Sequence, residues 1–404
     1  MKYVILGYGL EGVAADEYFK SLPDTEEVRV IDNDHERTFA EQLEGLEDYT
    51  VVRSPGVALS KIPGKFKVSS TTNEFFAKCP ATIIGVTGSK GKGTTSTMIA
   101  RILEAKGLRA HLVGNIGQPA IRELSKVSPE DYVIYELSSF QLWDIQFSPQ
   151  IAVLTILEPD HLDVHTGFEE YVAAKANIVR FQGEDDLVVY NQNDQLVSKI
   201  AKSSRARQVA YPNELVKNLQ DFLRVPGEHN LNDAQAAVSA VWDIIDGDVA
   251  VVKHGLEGFK GLPHHIEFVR ELDGVQYYDD SFSSNPISTM VAVKAFTNPI
   301  ILILGGFDKG TDMTPLKRFL NSASGENIKK ILLIGQIKEQ LKKGLHRDFE
   351  VVHTDNFKKI LRRAREVASH GDIVLLSPGT SSFDMFRNFY ERGEKFQKIV
   401  KGFE

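Results

Sequence analysis

A single cysteine, Cys79, stands in 404 residues, which leaves no intrachain disulfide and no cysteine-based zinc site. A reducing, cytoplasmic setting is the expected one. Nowhere does an apolar run approach the roughly 18 residues that a membrane span needs. The first such run, Tyr3 to Leu6, passes straight into a Gly-rich turn rather than a signal-peptide core. Positive charge is also short. With 47 Lys and Arg against 55 Asp and Glu the net charge is -8, which argues against a nucleic-acid partner. What remains is the composition of a globular chain, 42% apolar and 25% charged, too long for one ordinary core and so expected to form two or three domains.

The most informative stretch runs from Ala81 to Lys106. A β-branched strand, Ala81-Thr82-Ile83-Ile84-Gly85-Val86-Thr87, enters the loop Gly88-Ser89-Lys90-Gly91-Lys92-Gly93. From Thr94 the spacing of Met98, Ile99, Ile102 and Leu103 is helical. Strand, Gly-rich loop and helix make a phosphate-binding loop: backbone N–H groups converge on the anion, the helix N-terminus adds partial positive charge, and Lys92 reaches the β- and γ-phosphates. Gly93 follows Lys92 where a Mg²⁺-binding hydroxyl is usual, so that role passes to Thr94 or Thr95.

Upstream, strand Tyr3–Leu6, the loop Gly7-Tyr8-Gly9-Leu10-Glu11-Gly12, an amphipathic helix and strand Val28–Ile31 ending at Asp32 form a dinucleotide-type fingerprint. NAD or FAD, a different nucleotide-like ligand, and a purely structural turn all fit it. Val51 to Val57 reads as a strand and tight turn on the same sheet edge. The polar run Ser69 to Asn73 is the expected end of the first domain. Strands Tyr132–Tyr135 and Ile151–Ile156 run into Glu136 and into Asp160-His161-Leu162-Asp163, the sheet edge where Mg²⁺ belongs opposite a phosphate loop. Glu169 to Phe181 reads as a helix whose Lys175 would ordinarily be a solvated surface group. Polar residues from Pro226 to Asp233 precede an Ala-rich helix, 234–245. Beyond Gly261, strands ending at Asp279-Asp280, Gly305-Gly306, Gly335 and Ser377-Pro378 alternate with helices, so a parallel sheet is expected there too.

The fold class expected is α/β: three Rossmann-like domains, 1–74, 75–261 and 262–404, the central one of P-loop ATPase type. Three loop-built sites suit the ATP-driven joining of two substrates, with closure excluding water. A motor or switch NTPase has no need of the first Gly loop, and a dehydrogenase none of the phosphate loop.

Taken in order along the whole chain, several motifs resemble those of the Mur ligases. They are the phosphate loop, Gly114-Asn115-Ile116-Gly117, Glu136 to Leu142, Asp160 to Asp163, Tyr171 to Lys175, Pro226 to Asn230, Gly261 to His264, Asp280-Ser281, Gly305-Gly306 with Lys309, and Phe383 to Gly393. The likeness is greatest to the branch that adds D-glutamate to UDP-N-acetylmuramoyl-L-alanine in peptidoglycan precursor synthesis. This resemblance implies that ATP phosphorylates the substrate carboxylate to an acyl phosphate, which the amine of the amino acid attacks. It implies a catalytic set of Lys92, Asn115, His161 and Lys175, with ATP held by Gly88, Ser89, Lys90, Gly91, Lys92, Gly93, Thr94, Asn230, His264 and Asp280. Of two Mg²⁺ sites, Thr94 and Glu136 would serve one and His161 the other, with Lys175 carbamylated by CO₂ to become a metal-binding carboxylate. The UDP part would lie on Gly9, Asp32, Asn33, Ser54, Pro55, Gly56 and Val57, with Gln141 and Asn115 beside the acceptor substrate. Lys309, Ser382, Phe383 and Phe389 would attend the amino acid. A monomer is expected.

Departures from that pattern cluster. Gly93 replaces Ser or Thr, His265 an Arg, and Asp233 an adenine-side Asn. Phe282 stands where the branch carries a lysine that helps bind the amino-acid carboxylate, and Gly379-Thr380-Ser381 replaces Ala-Cys-Ala. Two alternatives therefore stand beside D-glutamate ligation: a ligase of the same type with another amine acceptor, and a nucleotide-binding regulator without turnover.

Overall fold

The computed structural model describes residues 1–34, 36–115, 119–160 and 164–404. The chain divides into two compact units, residues 1–222 with 231–258 and residues 223–230 with 259–404. Among the described residues no helix is long and apolar enough to cross a membrane.

In the first unit, β1 (Lys2–Leu6), β2 (Glu27–Ile31), β3 (Thr50–Arg53) and β4 (Lys67–Ser70) form a parallel sheet in the order β2-β1-β3-β4. The chain leaves β1 toward one side and returns as β3 on the other, so the loops after these two strands flank one crevice, where open α/β sheets bind ligands. A second parallel sheet holds β5 (Thr82–Thr87), β6 (Ala110–Gly114), β7 (Tyr132–Glu136), β8 (Ile151–Leu154), β9 (Leu187–Asn191) and β10 (Arg207–Tyr211), in the order β10-β9-β8-β5-β7-β6. Strand β5 lies between β7 and β8, which sets the Gly-rich loop beside the exits of both.

The polar run expected to close the first domain is not an exposed connection. Ser70 ends β4 and caps the helix Thr71–Lys78 by accepting from Asn73 N, and Ser70, Thr71, Thr72 and Asn73 are all buried. These short polar side chains at the end of the first sheet supply a cap and a set of internal hydrogen bonds, including Tyr135 OH to Thr72 Oγ1 at 3.3 Å.

The helix after the phosphate loop spans Lys92–Ala105, and its apolar stripe Met98, Ile99, Ile102 and Leu103 is fully buried. At about 1.5–3 kcal/mol for each buried side chain, that stripe anchors the loop more firmly than helix propensity could. The segment carrying Lys175 is a helix only over Phe168–Ala176, followed by the 3₁₀ turn Asn177–Val179. Phe181, expected on its apolar face, is 47% exposed because the helix has ended.

The second unit contains β11 (Glu267–Leu272), β12 (Val275–Asp279), β13 (Ile300–Gly305), β14 (Ile328–Ile334), β15 (Phe349–Val351) and β16 (Ile373–Leu376), ordered β11-β12-β16-β13-β14-β15. Its middle strands β13 and β16 are buried along their whole length, as parallel strands covered on both faces must be. The expectation of a parallel sheet fails at one edge: β11 pairs antiparallel with β12. The cause is Asp273-Gly274, both at positive φ, a two-residue hairpin turn between Leu272 and Val275. Three largely parallel sheets within alternating helices agree with the expected fold class.

Candidate active site

The crevice at the end of β1 and β3 is a cavity of about 680 Å³. Gly9, Asp32, Asn33, Ser54, Pro55, Gly56 and Val57 line it, and so do Asn115 and Gln141 from the second sheet. Every residue assigned by resemblance to the UDP-linked substrate therefore reaches one space. Asp32 accepts from Tyr8 N at 3.1 Å, which holds the first Gly loop to the end of β2. Ser54 Oγ donates to Gly7 O at 2.7 Å. Gln141 sits in a capping box, its carboxamide oxygen accepting from Ser138 N and Oγ, so its amide NH₂ is the end left for donation.

Asn115 links this cavity to the phosphate loop. Its Nδ2 donates to Glu136 Oε1 at 3.2 Å, while Glu136 Oε2 is buried and meets no partner among the described residues. Gly91 caps the helix at φ +81, and a Cβ there would lie 2.3 Å from Asp233 Oδ1. Asp233, expected on the adenine side, is thus packed against the phosphate loop itself. Lys92 Nζ donates to the carbonyls of Gly88 and Ser89 at 3.0 and 3.1 Å, curling over its own loop. Ser89 Oγ shares a 2.8 Å hydrogen bond with Tyr171 OH and Lys90 pairs with Glu158, tying the loop to the helix of Lys175 and to the segment after β8. Thr94 is half-buried, and the hydroxyls of Thr95 and Ser96 behind it are buried.

Lys175 is no surface residue. It is 1% exposed, and its Nζ donates to Gly88 O at 2.8 Å and Thr87 Oγ1 at 3.2 Å and lies over the Tyr171 ring. Burial, reinforced by the charge of Lys92, pushes its pKa well below the usual lysine range. Burial also lowers Lys92 against the pull of Glu136 and nearby acids, and raises Glu136 against Lys92, Asn115 and Lys175. Asp233 is raised well above an ordinary carboxylate by burial, opposed by the Thr95 hydroxyl and the Lys92 charge. Burial drives all four groups toward neutrality. His161 lies outside the described residues.

In the second unit the loop 280–285 is the hub. Asp280 is buried and accepts from Ile266 N, Ser283 Oγ and Ser377 Oγ; burial pushes it up to about 7 against those bonds. His264 Nδ1 lies 2.7 Å from Asp279 Oδ2; burial alone would lower its pKa, and the Asp279 bond makes the net shift upward. Phe282 N donates to His264 O, Ser281 Oγ to Phe389 O, and Lys309 Nζ to Ser284 O, so four of the residues assigned to ATP or the amino acid join at this loop. Phe282 stacks on His265 with ring centroids 3.9 Å apart and meets Phe389 edge-on at 5.1 Å. Burial, helped by the neighbouring His264, brings His265 down to about 4, so the stacked pair carries no positive charge at neutral pH. Ser382 is buried, Phe383 exposed, and Asn230 Nδ2 donates to Pro226 O at 2.6 Å.

Two organising residues escaped the sequence reading. Arg53 and Arg392 are both buried, and each gathers backbone carbonyls of loops that carry assigned residues. Arginine is so often exposed that composition and spacing gave no signal for either.

Comparison with known proteins supplies an independent view. Residues 86–215 match the model of the Mur ligase middle domain, and residues 265–379 that of the Mur ligase, glutamate ligase domain. The UDP-N-acetylmuramoylalanine–D-glutamate ligase of Clostridium kluyveri is 36% identical over 374 residues, covering 86% of this chain and 80% of that protein. The enzyme of the same name from Acetivibrio thermocellus is 35% identical over 401 residues, covering 90% and 84%. Among solved structures, a UDP-N-acetylmuramate–alanine ligase from Thermotoga maritima aligns over 99% of both chains with a TM-score of 0.62 at 16% identity, a likeness of fold.

Proposed function

The chain belongs to the Mur ligase family, and we propose that it joins D-glutamate to UDP-N-acetylmuramoyl-L-alanine at the expense of ATP, releasing ADP and phosphate, in cytoplasmic peptidoglycan precursor synthesis. One observation carries this reading: the cavity that gathers the assigned UDP-side residues opens onto Asn115, whose carboxamide bonds directly to Glu136 of the phosphate-loop site. A carboxylate-bearing substrate lying in that cavity would meet the γ-phosphate there.

On this reading the Gly88–Thr94 loop holds the phosphates of ATP, and Lys92 leaves its loop carbonyls to stabilise charge on the transferred phosphoryl group. The substrate carboxylate oxygen displaces ADP to give an acyl phosphate. The amino-acid nitrogen then adds to the acyl carbon, and phosphate leaves as the amide forms. Asn115 holds Glu136 and orients the acyl end. Asn230, His264 and Asp280 attend the nucleotide, with Lys309, Ser382, Phe383 and Phe389 near the amino acid, and domains of 1–74, 75–261 and 262–404 divide the three ligands.

The residues present suit Mg²⁺. Glu136 Oε2, which meets no partner among the described residues, would serve one ion together with Thr94, and His161 would serve the second. Bound Mg²⁺ would neutralise phosphate charge. Lys175 suits carbamylation because only a neutral amine attacks CO₂, losing one proton as the N–C bond forms, and burial favours the neutral amine.

A second reading, the same ligation with a different amine, is favoured by the uncharged Phe282–His265 stack. Phosphate release from ATP, with Mg²⁺, UDP-N-acetylmuramoyl-L-alanine and each amino acid in both enantiomers, separates the two. Release with D-glutamate alone is the expected result; release only with another amine establishes the second reading, and none with any amine removes both.

A further inference from the structure

Arg53 ends β3 and is fully buried. Its guanidinium offers five N–H donors in a rigid planar fork. Nε and Nη2 donate to Oδ2 and Oδ1 of Asp144 at 3.3 and 2.6 Å, and Nη2 also to Phe140 O at 2.6 Å. Nη1 donates to the carbonyls of Ser54, Pro55 and Val57 at 3.3, 3.2 and 3.0 Å. All its donors are committed to protein acceptors, so Arg53 has none left for a ligand.

The acceptors fall in two groups. Residues 54–57 form the turn after β3 in the first sheet, and residues 140–144 follow β7 in the second. Ser54 to Val57 line one wall of the 680 Å³ cavity, and Phe140 and Gln141 line another. Among the described residues no strand pairing joins the two sheets. The Arg53–Asp144 pair does join them, aided by Asn73, whose Nδ2 donates to Asp144 O at 3.0 Å. The same fork commits three carbonyl oxygens of the turn to a cation, so an anionic ligand entering the cavity meets a turn whose negative ends are already neutralised.

We infer that the Arg53–Asp144 pair is a positioning device for the diphosphate-bearing substrate: it sets the two walls of the cavity at their working separation and orients the turn, without touching the ligand. This rests on reading the cavity as the site of the UDP-linked substrate. The pair acts on affinity for that substrate and not on ATP.

The test uses Arg53→Lys, which keeps the charge but loses the fork, and Asp144→Asn, which keeps the shape. UDP alone is the calorimetric probe on the full-length protein, and steady-state kinetics give kcat and the KM of each substrate. Both variants should bind UDP about tenfold more weakly or worse, with a matching rise in KM for the UDP-linked substrate. Their kcat and KM for ATP should stay within about twofold of wild type. A folded variant that binds UDP as tightly as wild type overturns the inference, as does a fall in UDP and ATP affinity in equal proportion, which is what a general loss of structure produces. Should Arg53→Lys not fold, Asp144→Asn decides alone. Wild-type protein that binds UDP but ligates no amino acid removes the proposed reaction, while the UDP affinities of the variants still decide this inference.

Discussion

The surroundings of the phosphate loop and of Asp280 are both buried and polar, yet they are built on opposite terms. Around the loop, protein partners run short: among the described residues Glu136 Oε2 and Ser96 Oγ have none, and Lys175 is an amine driven toward neutrality. Around Asp280 most partners are met, Ser381 Oγ being an exception among the described residues. One carboxylate receives a backbone N–H and two serine hydroxyls, and Arg392 gives its donors to Ser281 and Thr380. An unmet buried polar group costs roughly 1–3 kcal/mol, so a fold retains it where something else completes the bond. On the proposed reading the first region leaves a carboxylate oxygen for a bound ligand, and the second, as a frame, holds in place the loop at which the proposed nucleotide and amino-acid residues meet. The difference teaches that burial of a charged residue is a poor guide to its role until its partners are counted.

Removing a group on the ligand-shaped side should have the largest effect. Lys175→Ala is expected to cut turnover by about a hundredfold to a thousandfold while leaving calorimetric affinity for UDP unchanged; unchanged turnover would erase the contrast. On the frame side, the expected readout is stability. Asp280 keeps its proton up to about pH 7 in the folded chain, whereas the unfolded carboxyl loses it near 3.8. The folded state therefore binds the extra proton in that window, stability falls as pH climbs through it, and the full cost, on the order of a few kcal/mol, is present above pH 7. Asp280→Asn should remove that slope. His265, held down to about 4, slopes the other way, so the difference between the melting profiles of wild type and variant from pH 4 to 8 carries the test. The smallest effect should come at the rim. Phe282→Lys forfeits an aromatic stack worth about 0.5–1.5 kcal/mol and restores a cation beside the loop. A severalfold lower KM for D-glutamate in steady-state kinetics is expected; an unaltered KM would place the acceptor carboxylate elsewhere.

Much of the architecture was legible because parallel α/β sheets announce themselves: β13 and β16 are unbroken apolar runs, and the strand, Gly loop and helix from Thr82 to Ala105 need no long-range information. The antiparallel edge was missed although Asp273-Gly274 is a strong hairpin signal, because alternation of strands and helices elsewhere dominated the reading. The first sheet does end within Ser69 to Asn73, but the burial of that run was not legible, because capping residues and exposed loop residues are the same small polar types.

By itself the sequence determined which loops end which strands, since apolar periodicity and glycine placement are local properties, and it determined the chemical types offered at each loop. Only the tertiary structure decided partnership. Lys175 is one helical lysine among many until packing buries it against Gly88 O, and Asp233 is one polar residue in a run until its carboxylate meets Gly91. Arg53 becomes a strut between two sheets only when Asp144, 91 positions away, arrives beside it. Burial and hydrogen bonding depend on residues brought together from distant parts of the chain, and no local pattern records them.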